Sequence, residues 1–157
     1  MPKQPPKSPL SAARLNAMDY LARRDHSKQE LKLKLKKKGH ALEDITQAIT
    51  ELDQKGLINE SRFTENFIRY KRNRGFGPER IQLELNARGI DDATIAEQLR
   101  LADNGWSNDA RKVWQKHFKG KYPENYAEKA KQMRFLQYRG FNREQISSIF
   151  KEEEIST

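Results

Sequence analysis

Apolar residues recur along this chain at helical spacing, in a pattern that repeats about every fifty residues. Gly39, Gly89 and Gly140 are 50 and 51 residues apart. Each has a leucine four positions before it and a basic residue directly before it, and apolar residues follow six and ten positions after it. A fixed period of this length is typical of tandem structural repeats. The sequence therefore predicts three successive units.

Each unit is predicted to contain three helices. In the first unit, Leu31, Leu33 and Leu35 alternate with lysines as in a strand, but the segment consists of strong helix formers. Ser27 and Glu30 have the spacing of a capping box, so helix is favoured. The apolar stripe assigned to the opening helix of this unit is Leu15, Met18 and Leu21 or Ala22, and that of its last helix is Leu42, Ile45, Ile49 and Leu52.

The other two units follow the same plan. Asn59 and Asp91 are predicted N-caps, and Pro78 suits the first turn of a helix. The third unit departs by placing Gln132 and Arg134 where the first two have apolar residues, which predicts less regular packing or a changed role there. The predicted fold is all-α, with about nine helices in three tandem three-helix repeats stacked into an elongated, curved molecule. The predicted segments are a flexible Pro/Lys-rich N-terminus at 1–10 and repeats at 11–58, 59–104 and 105–157.

Composition supports a repeat array more than a single compact globule. The 157 residues are 35% hydrophobic, which is lean for one core, so neighbouring units are expected to complete one another's cores. A mean hydropathy of −1.03 and the lack of a long apolar run exclude a membrane span. The N-terminus lacks the apolar stretch of a secretory signal. There is no cysteine, which excludes disulfides and thiol chemistry, and we expect a cytoplasmic protein.

The net charge of +9 points to an anionic partner or one with an acidic surface. Residues 1–58 carry 12 basic and 7 acidic side chains, residues 59–104 carry 8 of each, and residues 105–157 carry 11 and 7. The basic residues thus lie along the predicted helices instead of forming one tail.

No pattern in the sequence predicts catalysis, a metal site or a cofactor. The three histidines have no ligand spacing with one another or with carboxylates, and no phosphate-binding glycine loop occurs. The acidic residues fall at helix starts or in ion-pair spacing. We therefore expect no enzyme, although a nuclease site built from carboxylates stays open as a further alternative.

Three basic clusters are candidates for contact with a protein or nucleic acid. The first is a lysine stripe at four-residue spacing, which alternatively is a solvated helix face. The second surrounds Phe76, which is either exposed for stacking or buried between units. The third surrounds Trp114 and Phe118, whose spacing favours a core position. The candidate contact residues are Lys28, Lys32, Lys36, Arg69, Lys71, Arg72, Arg74, Arg80, Lys116, Lys119, Lys131 and Arg134.

The order and spacing of several short motifs resemble the RecX family, from about Leu15 to Phe150. The motifs that carry this resemblance are Arg24-Asp25-His26-Ser27 with Glu30-Leu31; Gly56-Leu57-Ile58-Asn59-Glu60 with Arg62-Phe63; Arg72, Gly75, Gly77-Pro78, Arg80-Ile81, Glu84-Leu85 and Gly89-Ile90; and Arg134-Phe135-Leu136 with Arg139-Gly140-Phe141.

The resemblance implies a non-enzymatic bacterial regulator that binds the RecA recombinase, chiefly as a filament on single-stranded DNA. Such a protein restrains filament growth, ATP hydrolysis and strand exchange in DNA repair and recombination. Single- or double-stranded DNA is a further candidate partner, and we expect a monomer with no membrane contact and no cofactor. The alternative from a different class is a general nucleic-acid-binding helical repeat without a role in recombination.

Overall fold

The computed structural model describes residues 7–156, with side chains up to residue 151, and within this range the chain forms nine α-helices and no strand. The helices are α1 Pro9–Arg23, α2 Lys28–Lys37, α3 Leu42–Gln54, α4 Glu60–Asn73, α5 Pro78–Ala87, α6 Asp92–Leu101, α7 Trp106–Phe118, α8 Tyr126–Arg139 and α9 Arg143–Ser156. The all-α prediction of three successive three-helix repeats is confirmed. Of the segment predicted to be flexible, residues 1–6 lie outside the described residues, and Ser8 is the N-cap of α1.

The helix ends form as the local sequence predicts. The Ser27 hydroxyl accepts from the amide of Glu30, and the Glu30 carboxylate accepts from the amide of Ser27, which completes the capping box. Gly39, Gly89 and Gly140 have φ values of +93°, +80° and +102°, in the left-handed region where a β-carbon is disfavoured. The fifty-residue glycine period is therefore the period at which the second helix of each repeat ends.

The apolar residues form two separate core clusters. One lies within the first repeat and includes Leu31, Leu35 and Ile45. The other spans the second and third repeats and includes Ile81 and Trp114. The prediction that neighbouring repeats complete one another's cores therefore holds for the second and third repeats. It is wrong for the first and second, whose buried apolar clusters are separate.

Polar contacts join the first repeat to the second. The Arg62 guanidinium donates to both carboxylate oxygens of Asp25, at 2.7 and 2.8 Å. The Ser27 hydroxyl donates to the carbonyl of Arg88 at 2.8 Å, so the residue that caps α2 also anchors the next repeat. Since Ser27 is fully buried, this bond satisfies a hydroxyl that water cannot reach.

The stack exposes more surface than a compact protein of the same mass. The accessible surface of the chain is 10603 Å². A compact monomer of this mass exposes roughly 8,200 Å². Small three-helix units arranged in a row expose more surface per residue than a single globule, and this surface accommodates the large charged fraction. No helix among residues 7–156 has the length and apolar character needed to cross a membrane.

Several apolar residues expected in the core lie on the surface. Met18 is 48% exposed and Leu42 is 61% exposed, so their assignment to packing stripes was wrong. The face that α1 buries is marked instead by Ala13 and Ala17, both fully buried. Small side chains allow α1 to approach α3 closely, and this leaves the larger residues at the edge of the contact.

Candidate partner-binding surfaces

The lysine stripe of the first repeat lies on the exposed side of α2. Lys28 bridges to Asp53 at 3.0 Å, and this hydrogen-bonded carboxylate raises the pKa of Lys28. Within the described part of the chain, the exposed Lys32 and Lys36 have no carboxylate partner. Leu33 lies beside them and is 58% exposed. This part of α2 therefore presents two unpaired cations next to an apolar side chain.

The second basic cluster divides into outward and inward residues. Arg69 and Arg74 are exposed, and Arg74 donates to the Tyr70 hydroxyl at 2.8 Å. The ammonium group of Lys71, by contrast, lies 3.1 Å from the carboxylate of Glu84, with only 14% of the lysine side chain exposed. Adjacent positions at the end of α4 therefore point in different directions.

Arg72 is held by groups of the second and third repeats. Its guanidinium pairs with the carboxylate of Asp109 and donates to the carbonyls of Ala102 and Asn104, at 2.9 and 2.5 Å. It also lies 4.1 Å from the centre of the Trp106 ring. Arg72 thus caps the end of α6 and fixes α7 against α4.

Phe76 is half-buried where the second and third repeats meet, so neither of the two alternatives predicted from the sequence holds in full. It packs against the shared core of the second and third repeats. The cations of Lys71 and Arg80 lie 4.4 and 4.6 Å from its ring centre, and that of Arg139 lies at 5.3 Å. Since Phe76 packs against side chains of its own chain and Arg80 lies over its ring, Arg80 has an internal role as well.

The third cluster is exposed around a buried aromatic centre. Lys116, Lys119, Lys131 and Arg134 are all on the surface. Trp114 is buried, and its indole nitrogen donates to the amide oxygen of Gln132 at 2.7 Å. Gln132 therefore has the changed role that its unusual position predicted. Arg134 does not change the packing of the third repeat, because this position is on the surface in every repeat: Leu33 and Leu83 at the same offset are also exposed.

The structure also brings together residues that were not among the contact residues predicted from the sequence. Lys112, His117, Phe135 and Arg139 join Arg74 and Lys116 around a cleft of about 610 Å³ between α4, α7 and α8. The four-residue spacing of Lys112 and Lys116 was the available sequence signal. The contribution of α8 depends on how the helices of the third repeat pack, and that of α4 on how the second and third repeats pack, which the sequence does not state.

No group of three or more His, Cys, Asp or Glu side chains within 7–151 is arranged to hold a metal ion. The candidate surfaces consist instead of basic side chains, some in ion pairs and some without a carboxylate partner among the described residues.

Comparisons with family models cover all three repeats. The models of the first, second and third three-helix domains of RecX match residues 13–52, 59–99 and 108–150. Together these matches account for most of the chain.

Two similar proteins are both named regulatory protein RecX, and each alignment covers most of both chains. The regulatory protein RecX of Pseudomonas entomophila is 44% identical over 138 residues, which cover 88% of this chain and 89% of that protein. The regulatory protein RecX of Pseudomonas fluorescens Pf-5 is 43% identical over 140 residues, covering 89% and 90%.

Solved structures match the fold. The crystal structure of RecX from Lactobacillus salivarius superposes with a TM-score of 0.77 at 24% identity, covering 94% of this chain and 97% of that one. A second crystal structure of regulatory protein RecX has a TM-score of 0.81 at 22% identity, covering 91% and 73%. At this identity the likeness concerns the fold alone.

Proposed function

The chain belongs to the RecX family, and on that premise we propose that it binds the RecA recombinase and inhibits the activity of its filament on single-stranded DNA. It acts as a monomer and without a catalytic step, by lowering ATP hydrolysis, filament growth and strand exchange. The observation that carries this proposal is the match of all three repeats, in order, to the three RecX domains.

The surface of α2 is suited to a protein partner. Lys32 and Lys36 offer charges that need no internal bond to be broken, and the exposed Leu33 adds apolar area beside them. Leu83 occupies the same offset in the second repeat and is 70% exposed. Cations that steer an acidic partner, together with apolar side chains that lose water on contact, are typical of protein interfaces.

The predicted contact residues separate into groups with different proposed roles. Arg72 and Arg80 hold the second and third repeats together, and Lys71 holds α4 against α5 within the second repeat. Arg74 and Lys116 line the cleft. The residues proposed to face the filament are Lys28, Lys32, Lys36, Arg69, Lys119, Lys131 and Arg134.

The RecA ATPase on single-stranded DNA tests the proposal directly. The protein should lower ATP hydrolysis and strand exchange when present at less than one copy per recombinase subunit. Unchanged ATPase and strand exchange at every ratio would overturn the proposed function.

A matched pair of variants tests the proposed surface. Lys32→Gln with Lys36→Gln should raise the concentration needed for half inhibition roughly fivefold to tenfold, because two exposed charges of the proposed interface are lost. Lys55→Gln with Arg143→Gln removes the same charge from exposed positions elsewhere and should change it by less than about twofold. Equal effects of the two pairs would show that only total charge matters.

A further inference from the structure

A basic cleft lies between α4, α7 and α8, at the junction of the second and third repeats. Its volume of about 610 Å³ falls in the range of small-ligand sites and accommodates one nucleotide unit of a longer strand. The turn after α4 packs tightly on α7, since a β-carbon on Gly75 would lie 3.2 Å from a methyl group of Val113. The cleft is therefore built on helices whose mutual position is fixed.

The charge of the cleft is strongly positive and largely uncompensated. Its lining includes five Lys and Arg side chains and one acid, Asp109, which is already paired with Arg72. Lys112 and Lys116 are exposed, lie one helical turn apart, and have no carboxylate partner within the described residues. Their ammonium groups can therefore bind an anion without breaking an ion pair among the described residues.

An aromatic surface lies in the same cleft. The exposed imidazole of His117 stacks on the ring of Phe135, with 3.8 Å between ring centres and 15° between ring planes. The guanidinium of Arg139 lies 5.3 Å from the centre of the Phe135 ring. Flat rings beside cations are the combination with which proteins bind unpaired bases and their phosphates.

We propose that this cleft binds single-stranded nucleic acid, with phosphates on Lys112 and Lys116 and a base against His117. A duplex keeps its bases stacked inside, so it can use the lysines but not the ring. An acidic peptide can use the lysines as well, but it has no base for the imidazole. The inference goes beyond the proposed function, because binding at the cleft requires no recombinase.

Anisotropy of a fluorescein-labelled oligo-dT strand tests the cleft in the absence of recombinase. The slope of log Kd against log salt should be smaller by about 1.4 in Lys112→Gln with Lys116→Gln, at about 0.7 per lost phosphate contact. The matched control, Lys55→Gln with Arg143→Gln, should keep the wild-type slope. Circular dichroism of each variant verifies that it is folded.

The ring is tested separately with His117→Ala. Affinity for the single strand should fall about fivefold to tenfold with an unchanged salt slope, since one base loses its stacking surface. Affinity for a duplex of the same length should stay the same.

The outcomes separate this inference from the proposed function. The inference is overturned when wild-type protein fails to bind the oligonucleotide, even where the RecA ATPase is inhibited. It is equally overturned when Lys112→Gln with Lys116→Gln has the same salt slope as its control variant. It is also overturned when polyglutamate competes as well as oligo-dT and His117→Ala has no effect, because the site then binds acidic protein. Oligonucleotide binding at the cleft without any effect on RecA would overturn only the proposed function.

Discussion

The backbones of Gly77 and Gly140 pack directly against each other where the second repeat meets the third. A β-carbon on Gly77 would lie 2.5 Å from the carbonyl oxygen of Gly140, closer than such atoms come in folded proteins. The amide of Gly77 donates to the carbonyl of Arg139 at 2.8 Å, and the amide of Glu79 donates to the carbonyl of Gly140 at 3.0 Å. The start of α5 is thus hydrogen-bonded to the end of α8.

Gly77→Ala should destabilise the protein by about 3 kcal/mol, because the added methyl group meets backbone that cannot rotate away. The φ of −94° at Gly77 is open to any residue, so the cost comes from space and not from conformation. We expect a Tm roughly 6–12 °C lower in thermal unfolding. Gly39→Ala is the control, since nothing lies within 4 Å of its added carbon, and it should cost only about 1 kcal/mol of backbone strain. Equal losses in both variants would contradict this account.

The buried pair of Trp114 and Gln132 should be energetically coupled. Gln132→Leu restores the apolar residue type found at this offset in the other repeats but leaves the indole N–H and the carbonyl of Lys121 without partners. We expect a loss of about 2 kcal/mol in urea unfolding. In the background of Trp114→Phe, whose side chain has no N–H, Gln132→Leu should lower the free energy of unfolding by about 1 kcal/mol less. Purely additive losses in this double-mutant cycle would show that the hydrogen bond contributes little.

Arg69 and Arg72 should respond differently to substitution, although they lie within one turn of α4. Arg72→Met removes the ion pair with Asp109 and the two carbonyl contacts, and should lower the free energy of unfolding by roughly 2–4 kcal/mol. Arg69→Met removes an exposed pair with Glu65 and should change it by less than about 0.5 kcal/mol. Chemical denaturation measures both values, and similar losses would place Arg69 inside the repeat junction as well.

Local sequence predicts most of the architecture because helix ends use neighbouring residues. The bonds of Ser27 with Glu30, the cap at Asn59 and the reciprocal pair of Asn142 and Gln145 each span three positions or fewer. The glycine period marks the ends of equivalent helices. All of these are readable in one sequence since their partners lie within a single turn.

The division of the basic residues could not be predicted, because it depends on distant partners. Arg72 points inward toward Asp109, which lies 37 positions away, while Arg74 is exposed and donates to the Tyr70 hydroxyl. Gly77 has the small size that close approach requires, but its neighbour Gly140 belongs to another repeat. The cleft needs residues from three helices, so only the packing of the second and third repeats brings Arg74 and Lys116 together.

His26 should make the stability of the protein depend on pH. Burial lowers its pKa below the ordinary value of 6.5, and the positive charges of Arg24 and Lys34 act in the same direction, against the carbonyl of Arg24 and the carboxylate of Glu30. The Lys34 ammonium lies 2.8 Å from Nε2 of the ring, so a proton there would face a cation. The folded protein therefore binds fewer protons than the unfolded chain just below pH 6.5.

The contribution of His26 to stability is thus complete above pH 6.5 and is lost as the pH falls toward the lower pKa of the folded state. Each pKa unit by which folding lowers the value for His26 adds about 1.4 kcal/mol to the free energy of unfolding. Thermal unfolding at pH 7.5 and pH 5.5 should show a smaller drop in Tm for His26→Gln than for wild type, because glutamine does not titrate. Lys34→Gln should give an intermediate drop, since it removes one of the two cations beside the ring. Identical drops in all three proteins would show that acid destabilisation arises from other groups.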